Sequence, residues 1–145
     1  MIKKLEISAR LDHDFKIVSD IRSHKIIIDQ SQQGGGQDEG PSPLEFACLS
    51  LAACVITIGQ IIARQKRINP RTIEARVEAE IDPDVYMGKN VNDRAGFISY
   101  KVIAKIDADL SIDEKRKFLE EIDSRCPISE NIKNLTIVQM ELEQD

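Results

Sequence analysis

The reactive residues of this 145-residue chain are its three cysteines, Cys48, Cys54 and Cys126. Cys54 lies in Leu51-Ala52-Ala53-Cys54, inside a long apolar helical pattern, where small neighbours let another group approach the sulfur closely. A free cysteine on such a helix also serves simply as a small hydrophobe. Cys126 stands just before Pro127 at a helix start, the N-cap position, where unpaired N–H groups and the helix dipole favour a thiolate. A plain cap following Arg125 is the other reading. Cys48 precedes Cys54 by six residues, about 120° around a helix of 3.6 residues per turn, so the two thiols cannot face one site and Cys48 is read as structural.

Other chemistry is poorly supplied. His13 and His24 lack metal-ligand spacing with each other or with the cysteines, and no CxxC pair is present, so neither metal nor cofactor is expected. Gly34-Gly35-Gly36 is not followed by the Lys-Ser/Thr of a phosphate cradle, and no hydrolase elbow or Ser/His/Asp set is recognisable.

The elements that must position the cysteines follow from periodicity. Leu5 to Ala9, Phe15 to Val18 and His24 to Asp29 read as three antiparallel strands joined by polar turns, one of them Leu11-Asp12-His13-Asp14. Gln30 to Pro43, rich in Gly and Pro, is a loop long enough for function. Ser42 then caps a helix with Pro43 at its first position and Glu45 in its first turn, running to about Lys66. From Phe46 to Ala63 it carries no charge, and its apolar residues lie all round, so it is a buried core helix or a membrane span. Ser50, Thr57, Gly59 and Gln60 dilute the run and amphipathic strands surround it, which favours the core helix.

Thr72–Ile81 and Gly96–Ile106 alternate as half-buried strands, Ser111 caps an amphipathic helix to about Ser124, and Cys126-Pro127 opens a second short helix before a last strand, Leu135–Leu142. The order is that of a single α+β domain spanning residues 1–145. So small a domain has difficulty covering every face of its apolar helix, which predicts a homodimer.

Composition narrows the function. With 41% hydrophobic and 31% charged residues the chain is an ordinary globular protein, and a net charge of −5, interleaved charges and scarce aromatics argue against nucleic acid as a partner. The opening residues, MIKKLEISARLDHDF, hold no signal-peptide run, so the cytoplasm is expected, with no membrane partner and with cysteines reduced at rest.

The run Gly34 to Glu45 (GGGQDEGPSPLE), continuing to Leu51-Ala52-Ala53-Cys54, resembles the superfamily of osmotically inducible protein C and organic hydroperoxide resistance proteins, OsmC/Ohr. So does Arg125-Cys126-Pro127-Ile128-Ser129 before a short helix and last strand. The resemblance implies an intertwined α+β dimer, with central helices packed on antiparallel sheets and active sites near the subunit boundary. It implies a thiol peroxidase in which Cys54 attacks the peroxide and becomes a sulfenic acid, and Cys126 condenses with it into a disulfide that an external dithiol reduces. A mid-helix thiolate has no helix N-terminus of its own and needs a cation. In the family an arginine supplies it, held by a glutamate. Glu45 resembles that glutamate, and Arg10, near the end of the first strand, falls roughly where one branch carries its arginine; Arg22 is the second candidate. Two other readings stay open: thiol or sulfur transfer through a persulfide at Cys54, and a non-enzymatic dimer that binds an apolar ligand.

Overall fold

The structure, a computed structural model, describes residues 1–144. The chain forms two compact units, Met1–Ala47 and the remainder from Cys48.

The first unit holds an antiparallel sheet of β1 (Arg10–His13), β2 (Lys16–Ile21) and β3 (His24–Ile28), in that order. Its turns are made by Asp14 and Arg22, at φ 46° and 56°. Asp tolerates this left-handed conformation because its short polar side chain bonds locally. The chain therefore reverses at Asp14-Phe15, and Arg10, Leu11 and His13 pair with Val18, Ile17 and Lys16. That corrects the expected layout: residues 11–13 belong to a strand, and residues 5–9 to none.

The Gly-rich loop is tied down by one side chain. Asp29, 1% exposed, accepts N–H bonds from Gln30 (2.8 Å), Gln37 (3.1 Å) and Glu39 (3.1 Å), and these donors, Glu39 foremost, hold its carboxyl below the ordinary range. A side chain on Gly36 would sit 2.2 Å from the Gln30 carbonyl oxygen, so the close backbone approach here requires glycine.

Helix α1 (Pro43–Lys66) starts on a reciprocal cap: the Ser42 N–H donates to Glu45 Oε2 (2.7 Å) and the Glu45 N–H to Ser42 Oγ (3.3 Å). Beyond Ala47 the chain belongs to the second unit, whose sheet pairs β4 (Thr72–Glu80) with β5 (Ser99–Asp107) in unbroken antiparallel register, Thr72 opposite Asp107 and Glu80 opposite Ser99. A one-turn helix, α2 (Pro83–Tyr86), lies in their connection and was not anticipated from the sequence. Helix α3 (Ile112–Arg125) begins on the Ser111/Glu114 capping box, and α4 (Pro127–Lys133) follows directly.

The core joins Leu51, Val55, Ile62 and Ala63 of α1 to Ile106, Ala108, Phe118, Ile122 and Cys126. Gly59 permits the closest approach, since a Cβ there would lie 3.1 Å from both Ile122 Cδ1 and Ile73 Cδ1.

Two expectations change. Helix α1 is apolar all round, yet its buried residues form one stripe, Leu51, Val55, Gly59, Ile62 and Ala63, while Leu49 is 56% and Ile61 40% exposed. By length and composition alone it would suffice to cross a membrane. The expected last strand, residues 135–142, forms no regular element, and Leu135, Ile137, Val138, Met140 and Leu142 are all exposed. An alternating segment becomes a strand only when its N–H and C=O groups find a neighbouring chain.

Candidate functional site

Cys126 occupies the joint between two helices. It ends α3, its N–H donating to the Asp123 carbonyl (3.4 Å), and its extended backbone, φ −79° and ψ 111°, breaks the helix so that Pro127 can open α4. Its Sγ accepts the N–H of Ser129, the third residue of α4, at 3.5 Å. The residue is fully buried, at 0% exposure.

Cys54 packs against this core from α1 and is only partly buried. It faces the Cys126 sulfur and the N–H of Ile128, the second residue of α4. Burial pushes the Cys54 thiol up, the Cys126 sulfur adds to that, and the Ile128 N–H acts in the opposite sense. Both sulfurs thus lie at the first turn of α4, where Cys126 takes the Ser129 N–H. A mid-helix cysteine was expected to lack any helix N-terminus; α4 provides one, from a residue 74 positions away.

The joint is braced from both sides. Ser129, 8% exposed, donates its hydroxyl to Asp123 Oδ1 (2.6 Å), and Lys133 pairs with the same carboxylate. Lys133 first, and the Ser129 hydroxyl second, hold Asp123 below the usual carboxylate range. Toward the end of α1, Arg125 Nη1 donates to Gln65 (3.0 Å) and Glu121 (3.3 Å), and Lys66 pairs with Glu121. Sequence reasoning missed Ile128, Ser129 and Asp123 as parts of the site. The available signal was Cys-Pro followed two residues later by Ser, which fixes both an N-cap sulfur and a third-position donor.

Of the predicted site residues, the structure brings Cys54 and Cys126 together. Glu45 serves the cap of α1 through Oε2. Arg10 is exposed on β1, with Nη1 3.5 Å from Asp12 Oδ1, and Arg22 makes the β2–β3 turn. Burial pushes the Tyr100 hydroxyl up, and Cys48, partly buried, adds to that shift. His13 lies 3.0 Å from Asp12 and 3.9 Å from Glu39, and among the described residues no group of side chains is arranged to hold a metal ion. A separate cavity of about 900 Å³ opens between Leu51, Val55, Tyr100, Ile122 and Ile132, and neither Cys54 nor Cys126 lines it.

A family model described as OsmC-like protein matches residues 35–141, which include all three cysteines, most of the Gly-rich loop and helices α1 to α4. The chain belongs to the OsmC-like family. Solved OsmC-like structures share its fold: one from Mycoplasma pneumoniae superposes at a TM-score of 0.80 with 20% identity, over 93% of this chain and 91% of that one. An organic hydroperoxide resistance protein OsmC from Legionella pneumophila gives 0.65 at 15% identity, over 92% and 91%. An organic hydroperoxide resistance protein from Elizabethkingia anophelis gives 0.64 at 18%, over 93% of each chain. No curated protein sequence matches. As in the resemblance read from residues 34–54 and 125–129, the α+β class is that of OsmC-like proteins.

Proposed function

We propose that this OsmC-like protein is a dithiol-dependent peroxidase acting on organic or hydrogen peroxide. The observation that carries the reading is the contact between one partly exposed and one fully buried sulfur. A peroxide reaches Cys54. The thiolate takes the terminal peroxide oxygen, the O–O bond breaks, and the alcohol or water leaves with a proton, making Cys54 a sulfenic acid. Cys126 Sγ then attacks the Cys54 sulfur, the S–O bond breaks, the oxygen leaves as water with the proton of the Cys126 thiol, and a Cys54–Cys126 disulfide closes that an external dithiol reopens. The names of the Legionella and Elizabethkingia proteins support a peroxide substrate.

With its thiol pushed up by burial, Cys54 needs a cation as well as the Ile128 N–H. Following the resemblance, we assign Arg10 to that role and Glu45 to holding it.

The test is stoichiometric. One equivalent of an organic hydroperoxide is expected to yield one alcohol per chain and a Cys54–Cys126 cross-link in the peptide map, with Cys48 still open to alkylation. No peroxide loss, or a cross-link through Cys48, overturns the reading.

We further propose a cytoplasmic homodimer. The exposed stripe of α1 and the unpaired apolar residues of 135–142 are the surfaces a second copy would cover. Sedimentation is expected to give twice the chain mass, and amide exchange to be slow across 135–142. A monomer with fast exchange there would refute it.

A further inference from the structure

Helix α4 is seven residues long, and a helix that short does not hold its shape in water by itself. Its rigidity has to come from ties to its neighbours. Asp123, in the last turn of α3, makes two of them with one carboxylate: Oδ1 accepts the Ser129 hydroxyl (2.6 Å), and Oδ2 pairs with Lys133. Ser129 is the third residue of α4 and Lys133 its last, four apart and therefore on one face of the helix. A single side chain thus clamps α4 at its first turn and at its end.

A carboxylate in the last turn of a helix meets the negative end of that helix's dipole, so α3 alone disfavours an acid at position 123. Groups of α4 offset this: Lys133 first and the Ser129 hydroxyl second hold the Asp123 carboxyl down. As mechanical ties the two rank the other way. The side chains of Asp123 and Lys133 are half exposed, so water screens their ion pair, whereas Ser129 is buried and its bond to the carboxylate is the firmer hold on the helix. The same Ser129 donates its N–H to Cys126 Sγ at 3.5 Å, and Cys54 faces that turn.

We infer that Asp123, acting through Ser129, sets how readily Cys54 and Cys126 join, a positioning role that rests on the disulfide of the proposed function. Closing an S–S bond fixes the segments that carry the sulfurs. With the first turn of α4 already clamped, closure orders little that was free before; with the clamp gone, it must first order a short helix, and that entropy opposes the bond. In exchange with an acceptor disulfide, the Cys54–Cys126 bond forms as the acceptor's S–S bond breaks. The two cysteines lose two electrons and two protons, and the acceptor leaves as two thiols.

The equilibrium is read on the full-length protein in mixtures of reduced and oxidised glutathione at neutral pH, approached from both the reduced and the diamide-oxidised protein. Samples are stopped with acid, unfolded, alkylated and mapped, so the count of closed Cys54–Cys126 pairs depends neither on the route of entry nor on the burial of Cys126. Asp123→Ala and Ser129→Ala are each expected to lower the equilibrium constant for closure by about tenfold, a rise in potential of about 30 mV. Ser129→Thr, which keeps the hydroxyl, should restore the wild-type value, and Lys133→Ala should shift it less than Ser129→Ala does.

Linkage supplies a second reading of the same coupling: a residue that favours closure stabilises the closed protein more than the open one. Asp123→Ala is therefore expected to lower the melting temperature of the oxidised protein by more than that of the reduced protein. Equal falls in both forms, with the glutathione equilibrium unmoved, would show Asp123 and Ser129 to be structural only and overturn the inference. No peroxide enters the titration, so it can be read even in a protein that consumes none. A wild-type chain that forms no Cys54–Cys126 cross-link at any glutathione ratio overturns the disulfide itself, and this role with it; a cross-link whose equilibrium is blind to Asp123 overturns this role alone.

Discussion

Cys54→Ser is expected to reduce peroxide turnover by at least about a thousandfold, roughly 4 kcal/mol of barrier, because a serine hydroxyl offers no thiolate to the O–O bond at neutral pH. Cys126→Ser is expected to behave differently. Its Cys54 is still partly exposed and still faces the Ile128 N–H, so it should consume one peroxide per chain and then stop as a sulfenic acid. The pair separates the two proposed roles, in which the partly exposed sulfur meets the oxidant and the buried one closes the bond. Hydroperoxide loss per mole of protein, followed to completion, measures both. Full turnover in Cys54→Ser, or several turnovers in Cys126→Ser with the same dithiol, contradicts the assignment.

The largest stability effect is expected at Ile122. Its side chain is fully buried, and it fills the groove over Gly59, where α1 comes closest to α3 and β4. Ile122→Ala removes three carbons from the centre of the core and is expected to cost about 2–5 kcal/mol. For a chain of this length that corresponds to a fall in melting temperature of about 6–15 °C, measured by calorimetry. Ile122 stands one helical turn before Cys126, so the loss should also slow diamide closure of the disulfide. A fall of less than about 3 °C would mean that the core closes over the gap with little strain.

The local features of the fold were legible because short-range chemistry decides them. Ser42-Pro43 with Glu45, Ser111 with Glu114, and Cys126-Pro127 each satisfy the free N–H groups of a helix start within three residues, and each forms the predicted cap. The strand at Arg10–His13 was misplaced because one left-handed residue, Asp14, decides where the chain reverses, and alternation alone does not locate it. Residues 135–142 carry a correct strand pattern with nothing beside them to pair. At the candidate site, each cysteine was legible as a thiol in context, and the resemblance joined them. That Cys54 faces the first turn of α4, and that Asp123 secures the Ser129 there, depends on how α1 lies against the α3–α4 joint, which no local pattern encodes.

The β4–β5 pair is a bare two-stranded ribbon, and in a folding cell such ribbons find wrong neighbours easily. Its outer face answers with charge: Glu74 stands opposite Lys105, their side chains 3.6 Å apart, Glu78 opposite Lys101, and Glu80 takes the Ser99 hydroxyl at 3.0 Å. A slip of one residue would turn every one of these acids toward the core. The ladder therefore acts as a gatekeeper: it penalises misregistered pairing and stray edge-to-edge association of the ribbon.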